Sequence, residues 1–236
     1  LAFGVAALGR LFWPWTLRSR RLRMLGWAGG GALVIGALLE LLLQGPRATG
    51  SGFAGALRLD DFGQTLASGY GIAILIRLGL LGALAALRPW RATIRPASWL
   101  PRLALAVGVL VTIAVPGHAG VGPDAGLAIP VAALHLAAMC VWLGGVVSLA
   151  ALVLPRWKAA GRSHPRLMLS WSITAFVSVA VRIVTGEYQA WREVQPVLAL
   201  WSTGYGITLL IKLGLVVTAL LVALAVRYRS IVPRPS

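Results

Sequence analysis

The chain has 236 residues, with 22 Lys and Arg against 6 Asp and Glu, a formal charge of +16, 58% hydrophobic residues and only 12% charged ones. Soluble domains carry about 45–50% apolar and about 25% charged residues, so a water-facing globular domain is excluded, and so is a disordered chain. So basic a balance in a soluble protein would point to nucleic acid. Here the basic residues lie between long apolar runs, which makes membrane topology the explanation and leaves nucleic acid no expected role. The lone cysteine, Cys140, excludes an intrachain disulfide and a CxxC zinc site.

Residues 1–17 read as the final half of a spanning helix whose start lies upstream. Six longer apolar stretches follow, at 22–44, 66–87, 100–117, 127–154, 167–191 and 204–227. Each reaches or approaches the roughly 20 residues that cross about 30 Å of hydrocarbon as a helix. The runs are continuous and rich in leucine and alanine, where barrel strands would alternate. The expected fold is an all-α membrane protein, a polytopic bundle of six full transmembrane helices plus a truncated N-terminal one, with the lipid bilayer as partner.

Charge orients the bundle. Arg18, Arg20, Arg21 and Arg23, then Arg88, Arg91, Arg95 and Arg102, then Arg156, Lys158, Arg162 and Arg166, and finally Arg227, Arg229 and Arg234 occupy alternate connections and the C-terminal tail. The other connections hold only Arg47, Arg58 and Arg192. The basic side, with the C-terminus, is expected in the cytoplasm of a bacterial inner (plasma) membrane protein. Most tryptophans fall near the expected interfaces, Trp171 among them on the inner side, and Trp142 lies well inside.

An internal repeat is visible. Gly69-Tyr-Gly-Ile-Ala-Ile-Leu-Ile-Arg-Leu-Gly-Leu80 matches Gly204-Tyr-Gly-Ile-Thr-Leu-Leu-Ile-Lys-Leu-Gly-Leu215 at an offset of 135. The expected organisation is a first three-helix unit over 1–95, a linker helix over 96–118 and a second three-helix unit over 119–236. The copies point the same way, so the repeat is parallel. The connection after 44 reads as the longest and most flexible. Gly-Tyr-Gly is read as a helix start and not as a potassium filter, for want of TVGYG and a re-entrant segment.

Chemistry concentrates around two histidines. Pro116-Gly-His118-Ala closes one apolar stretch, and a short segment with Asp124 leads to Pro130-Val-Ala-Ala-Leu-His135-Leu-Ala-Ala-Met139-Cys140-Val-Trp142. His135 and Met139 are four apart and share a helix face, which Trp142 continues. His118, Asp124, His135, Met139 and Cys140 are therefore candidate metal residues, expected to converge near the outer mouth. Imidazole with thioether or thiolate suits copper, especially Cu(I). Met139 and Cys140 also serve as ordinary packing residues, whereas a histidine inside a membrane helix is costly unless used. His164, among arginines, reads as solvated surface. Arg77, Arg182 and Lys212 sit at membrane depth, and the repeat pairs Glu40 with Arg77 and Glu187 with Lys212. Those ion pairs read as structural ties or as a polar path through each unit.

Gly117-His118-Ala119, the acidic segment, and Leu134-His135-Leu-Ala-Ala-Met-Cys-Val-Trp142-Leu-Gly-Gly145 together resemble the CopD copper-resistance family of bacterial inner-membrane proteins, YcnJ-type proteins included. Thr185-Gly186, Trp191 and Gly204-Tyr-Gly followed by Ile-Lys-Leu (211–213) are similar as well. The likeness covers about 100–230 well and the earlier part more weakly. It implies a non-enzymatic, multi-span protein of copper uptake, working beside a periplasmic copper-binding protein, with His118 and His135 carried over as functional histidines.

Two other classes stay open beside copper transport or delivery. One is a non-catalytic subunit or copper-related assembly factor of a larger membrane complex. The other is a b-type haem electron-transfer protein. No GxxxxGK[ST] motif is present, so the chain is not expected to power transport with ATP.

Overall fold

A computed structural model describes residues 19–50, 59–87, 100–155, 165–193 and 199–231. The stretch at 1–17, Arg18, Arg58, Arg88, Arg91, Arg95, Arg156, Lys158, Arg162, His164 and Arg234 lie outside the described residues. The helices are α1 (Arg20–Thr49), α2 (Leu59–Ala67), α3 (Gly69–Ala86), α4 (Leu100–Ala114), α5 (Ala125–Ser148), α6 (Pro165–Glu193), α7 (Ala199–Ser202) and α8 (Gly204–Ile231). A 3-10 turn, His118–Gly120, precedes α5, and a π-helical turn, Leu149–Val153, follows it. No strand occurs among the described residues.

Among the described residues, four helical segments are long and apolar enough to cross a membrane: Arg23–Ala48, Gly69–Ala86, Ala125–Ala151 and Met168–Glu193. Leu100–Ala114 and Gly206–Thr218 are shorter apolar helices. Phe176 and Val184 of α6 are 74% and 68% exposed. In water such a surface would aggregate, and in lipid it is the surface a helix needs.

The boundaries follow from local chemistry. α4 stops at Ala114, short of the expected 117, because Pro116 has no N–H to extend it. α3 starts at Gly69 because Ser68 Oγ accepts the Gly71 N–H at 3.1 Å, an N-cap. At Gly71 a Cβ would run into the Thr65 carbonyl, so the second glycine of Gly-Tyr-Gly permits the tight turn from α2 into α3. Of the connection after 44, residues 51–58 lie outside the described residues. α1 runs on through Pro46 to Thr49, and 59–67 form α2.

The chain divides into two compact units, Leu1–Gly186 and Glu187–Ser236. In the first, α1, α2 and α3 share a core of Ala37, Leu41 and Ile74, packed by Phe62, Leu66, Tyr70 and Leu78. α3 packs on α4, and α4 on α5. Val153 of the π-turn and Trp171 of α6 are buried together against Val141, Leu149 and Ala175. In the second unit α7 packs on α8, and Tyr188 and Trp191 stack at 6.4 Å. α8 opens as α3 does. Thr203 Oγ1 accepts the Gly206 N–H at 3.0 Å, and the Ile207 N–H donates to the Thr203 carbonyl at 3.0 Å, as Ile72 does to Ser68.

Candidate functional site

Two polar constellations lie inside the apolar helices of the first unit. The first ties three helices together. Arg77 of α3 is 4% exposed. It donates from Nη1 to Glu40 Oε2 of α1 at 2.7 Å and from Nη2 to the Thr112 carbonyl of α4 at 2.7 Å. That carbonyl needs a donor for a reason written in the chain. The residue four positions on is Pro116, which has no N–H. The guanidinium therefore takes the place of a missing helix hydrogen bond while it pairs with a carboxylate. The Thr112 hydroxyl donates to the Val109 carbonyl at 2.7 Å, so it does not compete.

The second constellation surrounds His135, on the α5 face turned towards α6. Its Nδ1 lies 2.9 Å from Thr185 Oγ1. The Thr185 hydroxyl has one proton and donates it to the Val181 carbonyl at 2.6 Å. In the tautomer protonated at Nδ1, His135 donates to Thr185 Oγ1 and Nε2 keeps the free lone pair; in the other tautomer Nδ1 accepts. A second residue fixes the ring. A Cβ placed on Gly186 would lie 3.3 Å from His135 Cε1 and 3.7 Å from Nδ1. Glycine here lets α6 approach the imidazole edge closely. One turn before Thr185, the Arg182 guanidinium sits 5.6 Å over the Trp142 ring, a cation–π contact. Met139 follows His135 by one turn and is 41% exposed.

The five expected metal residues do not form one cluster. Among the described residues no group of three or more His, Cys, Asp and Glu side chains is placed to hold a metal ion. The reason is helix length. Asp124 stands at the start of α5 and His118, exposed, in the 3-10 turn before it. His135 is ten residues into α5, which at 1.5 Å per residue is about 15 Å along the axis. His118 and Asp124 thus stand before the Ala125–Ala151 span, and His135 lies towards its middle. Cys140, partly buried, is five residues from His135, off the face that His135 shares with Met139. Of the two expected ion pairs, Glu40 and Arg77 are brought together. Among the described residues no ion pair joins Glu187 to Lys212, and both side chains are exposed.

Sequence reasoning passed over Thr112, Thr185, Gly186 and the Arg182–Trp142 pair as site residues. The signal for Thr112 was Pro116, four residues later. The signal for Thr185 and Gly186 was the dipeptide itself, noted for its resemblance and not for what it touches.

Residues 165–235 match the family model described as Copper resistance protein D, CopD. A curated relative, "Copper transport protein CutJ" of Bacillus subtilis (strain 168), is 29% identical over 195 residues, covering 79% of this chain and 36% of its own length. The chain thus spans about a third of that relative. No solved structure matches. The family match contains Thr185 and Gly186, the α6 side of the His135 site, and the wider alignment extends the likeness beyond it. The resemblance of this helical membrane protein to the CopD copper-resistance family is thereby shown, most directly over residues 165–235.

Proposed function

We propose that the chain carries copper across the bacterial inner membrane, inward, and that His135 Nε2 is the nitrogen that holds the metal at mid-depth. The observation that carries this reading is the 2.9 Å contact of His135 Nδ1 with Thr185 Oγ1, which in the Nδ1–H tautomer continues to the Val181 carbonyl. Metal-binding histidines generally donate the second ring N–H to a fixed acceptor, which sets the tautomer and aims the lone pair. Met139, one turn along the same face, offers a soft thioether, and Cu(I) accepts few and soft donors. His118 and Asp124 at the mouth form the entry level, with Cys140 a weaker candidate. Outside the membrane a periplasmic copper-binding protein is the proposed donor.

The transport path needs the remaining architecture read from sequence. Six full spans with the basic loops and C-terminus in the cytoplasm agree with the charge asymmetry. The parallel repeat, with units at 1–95 and 119–236 around a linker helix at 96–118, is supported by the matching caps at Ser68 and Thr203. Copper is cargo here and no residue is assigned a catalytic step.

The test is Cu(I) affinity of the purified protein under anaerobic conditions, by competition with a chromophoric chelator. Thr185→Val keeps the volume and removes the acceptor. It is expected to weaken binding by about 10–100-fold, the usual cost of losing such a partner. His135→Ala is expected to abolish binding at this site while the protein still accumulates in the membrane. Wild-type affinity in His135→Ala would show that the metal is held elsewhere.

A further inference from the structure

The seam between α5 and α6 can be followed by its cross-helix contacts. At the first level His135 Nδ1 lies 2.9 Å from Thr185 Oγ1. Seven residues deeper on α5, about 10 Å along its axis, the Trp142 ring carries the Arg182 guanidinium carbon 5.6 Å from its centroid. At the third level Val153 and Trp171 are buried together against Leu149 and Ala175. Thr185, Arg182, Ser178 and Trp171 share one face of α6, at spacings of three, four and seven residues. Ser178 is buried, and its hydroxyl donates to the Thr174 carbonyl at 2.8 Å. The seam is therefore polar as far as Ser178 and apolar beyond it.

The two arginines at membrane depth are partnered differently. Arg77 has a carboxylate and an orphaned carbonyl to satisfy it. Arg182 stands near the middle of the Met168–Glu193 span, and among the described residues no ion pair joins it to a carboxylate. Its Nε is buried without a hydrogen-bond acceptor. A ring face attracts the cation but offers no acceptor to the in-plane N–H donors. The structural ties that account for Arg77 thus do not account for Arg182, and a charge kept at this depth without them marks a pathway. What Arg182 brings to the seam is its charge. Low-dielectric surroundings screen that charge little, and a fixed arginine is a barrier by which a narrow polar path excludes cations. Copper, with the soft donors proposed for it, gains bonds that offset the repulsion. Sodium and potassium gain no such bonds and meet the barrier in full.

We propose that Arg182, held over the Trp142 ring, is a selectivity residue whose charge keeps sodium and potassium out of the α5–α6 seam. Trp142 is its positioning partner. Reading the seam as a path rests on the copper proposal above, and the barrier is tested without copper, so that the two stand or fall separately.

The full chain is reconstituted in phosphatidylcholine vesicles, and uptake of a rubidium tracer is measured beside uptake of glycerol, a neutral solute. Wild type is expected to admit rubidium no faster than protein-free vesicles. Arg182→Gln is expected to raise rubidium uptake by about tenfold or more, the scale of one poorly screened unit charge at close range, with glycerol uptake unchanged. Arg182→Lys keeps the charge and should stay tight. Trp142→Ala should admit rubidium, whereas Trp142→Phe, which keeps a ring face, should not. Rubidium uptake in Arg182→Gln equal to wild type would overturn the barrier. A parallel rise of rubidium and glycerol would show a packing seal and overturn the role of the charge, as would a leak in Arg182→Lys. Should Arg182→Gln fail to fold, the two Trp142 variants decide: a leak confined to the alanine variant supports the barrier, and equal behaviour of the two overturns it. Cu(I) affinity of the same proteins is measured in the chelator assay, where failure of wild type to bind would overturn the copper reading whatever the rubidium result.

Discussion

Replacing Arg77 by methionine tests how a charge is kept inside this bundle. The change keeps an unbranched side chain and removes two charge-assisted hydrogen bonds of 2.7 Å. Two groups are left behind. The Thr112 carbonyl, already deprived of its helical donor by Pro116, becomes an orphan, at a cost of about 1–3 kcal/mol. The Glu40 carboxylate loses its counter-charge. A fully buried pair would lose about 3–5 kcal/mol, but the Glu40 side chain is 43% exposed. That contribution is therefore discounted towards the surface range, to about 1 kcal/mol. Relief of the guanidinium's own desolvation offsets part of the sum. The net expectation is a destabilisation of about 2–3 kcal/mol, and at about 2–4 °C per kcal/mol for a chain of this size a melting temperature lower by about 5–10 °C. Cys140, the single thiol and only partly buried, serves as reporter through its labelling rate in micelles as temperature rises. Pro116→Ala isolates the carbonyl's share. It restores an N–H four residues after Thr112, so Arg77→Met should cost about 1 kcal/mol less in that background. A melting temperature within about 1 °C of wild type, which corresponds to less than half a kcal/mol, would refute the reasoning. An equal cost with and without Pro116 would refute the part assigned to Thr112.

Three further outcomes are expected. Gly186→Ala places a methyl group 3.3 Å from His135 Cε1, so the ring or α6 must shift by a few tenths of an ångström; copper affinity in the chelator assay should fall several-fold while the melting temperature changes by only a few degrees, and unchanged affinity would show that the ring is not held by α6. Copper occupancy should fall as pH is lowered, because protonation takes up the Nε2 lone pair that the metal needs; the sign is therefore retention at high pH and release at low pH, and an occupancy that does not change with pH would point away from imidazole ligation. With Cys140 replaced by alanine and a cysteine introduced at position 160, a membrane-impermeant thiol reagent should label only opened cells, and labelling of intact cells would invert the proposed topology.

The helical character and most segment positions were legible because an apolar run long enough to span lipid has few alternatives. Glu40 and Arg77 were legible as a pair because both are costly at that depth, and the chain offers few intramembrane acids. The third member, the Thr112 carbonyl, was harder to see. Backbone groups are invisible in residue patterns unless one asks, at every proline, which carbonyl loses its donor. The residues that flank the 51–58 stretch pack in a way that composition does not show. Gly, Ser and Pro there indicate turns, but the apolar Phe62 and Leu66 pack onto Ala37, Leu41 and Ile74, and burial orders a segment that composition alone leaves open.

The expected convergence of the metal residues rests on loop proximity, and among the described residues no group of three or more His, Cys, Asp and Glu side chains is placed to hold a metal ion. His118 and Asp124 are close in sequence to the start of α5, and so is His135 by count. A helix nonetheless converts ten residues into about 15 Å, most of the way to the middle of a 30 Å layer. What fixes the chemistry at that depth is long-range. The partner of His135 is Thr185, fifty residues away, and Gly186 beside it matters through the atoms it lacks. A histidine with one nitrogen committed to a threonine whose own proton is committed to a carbonyl has a single lone pair left to offer. That direction, from ring to hydroxyl to backbone, belongs to the Nδ1–H tautomer, the one that a metal on Nε2 requires. Removing the acceptor by Thr185→Val is therefore a sharper test of function than deleting the histidine.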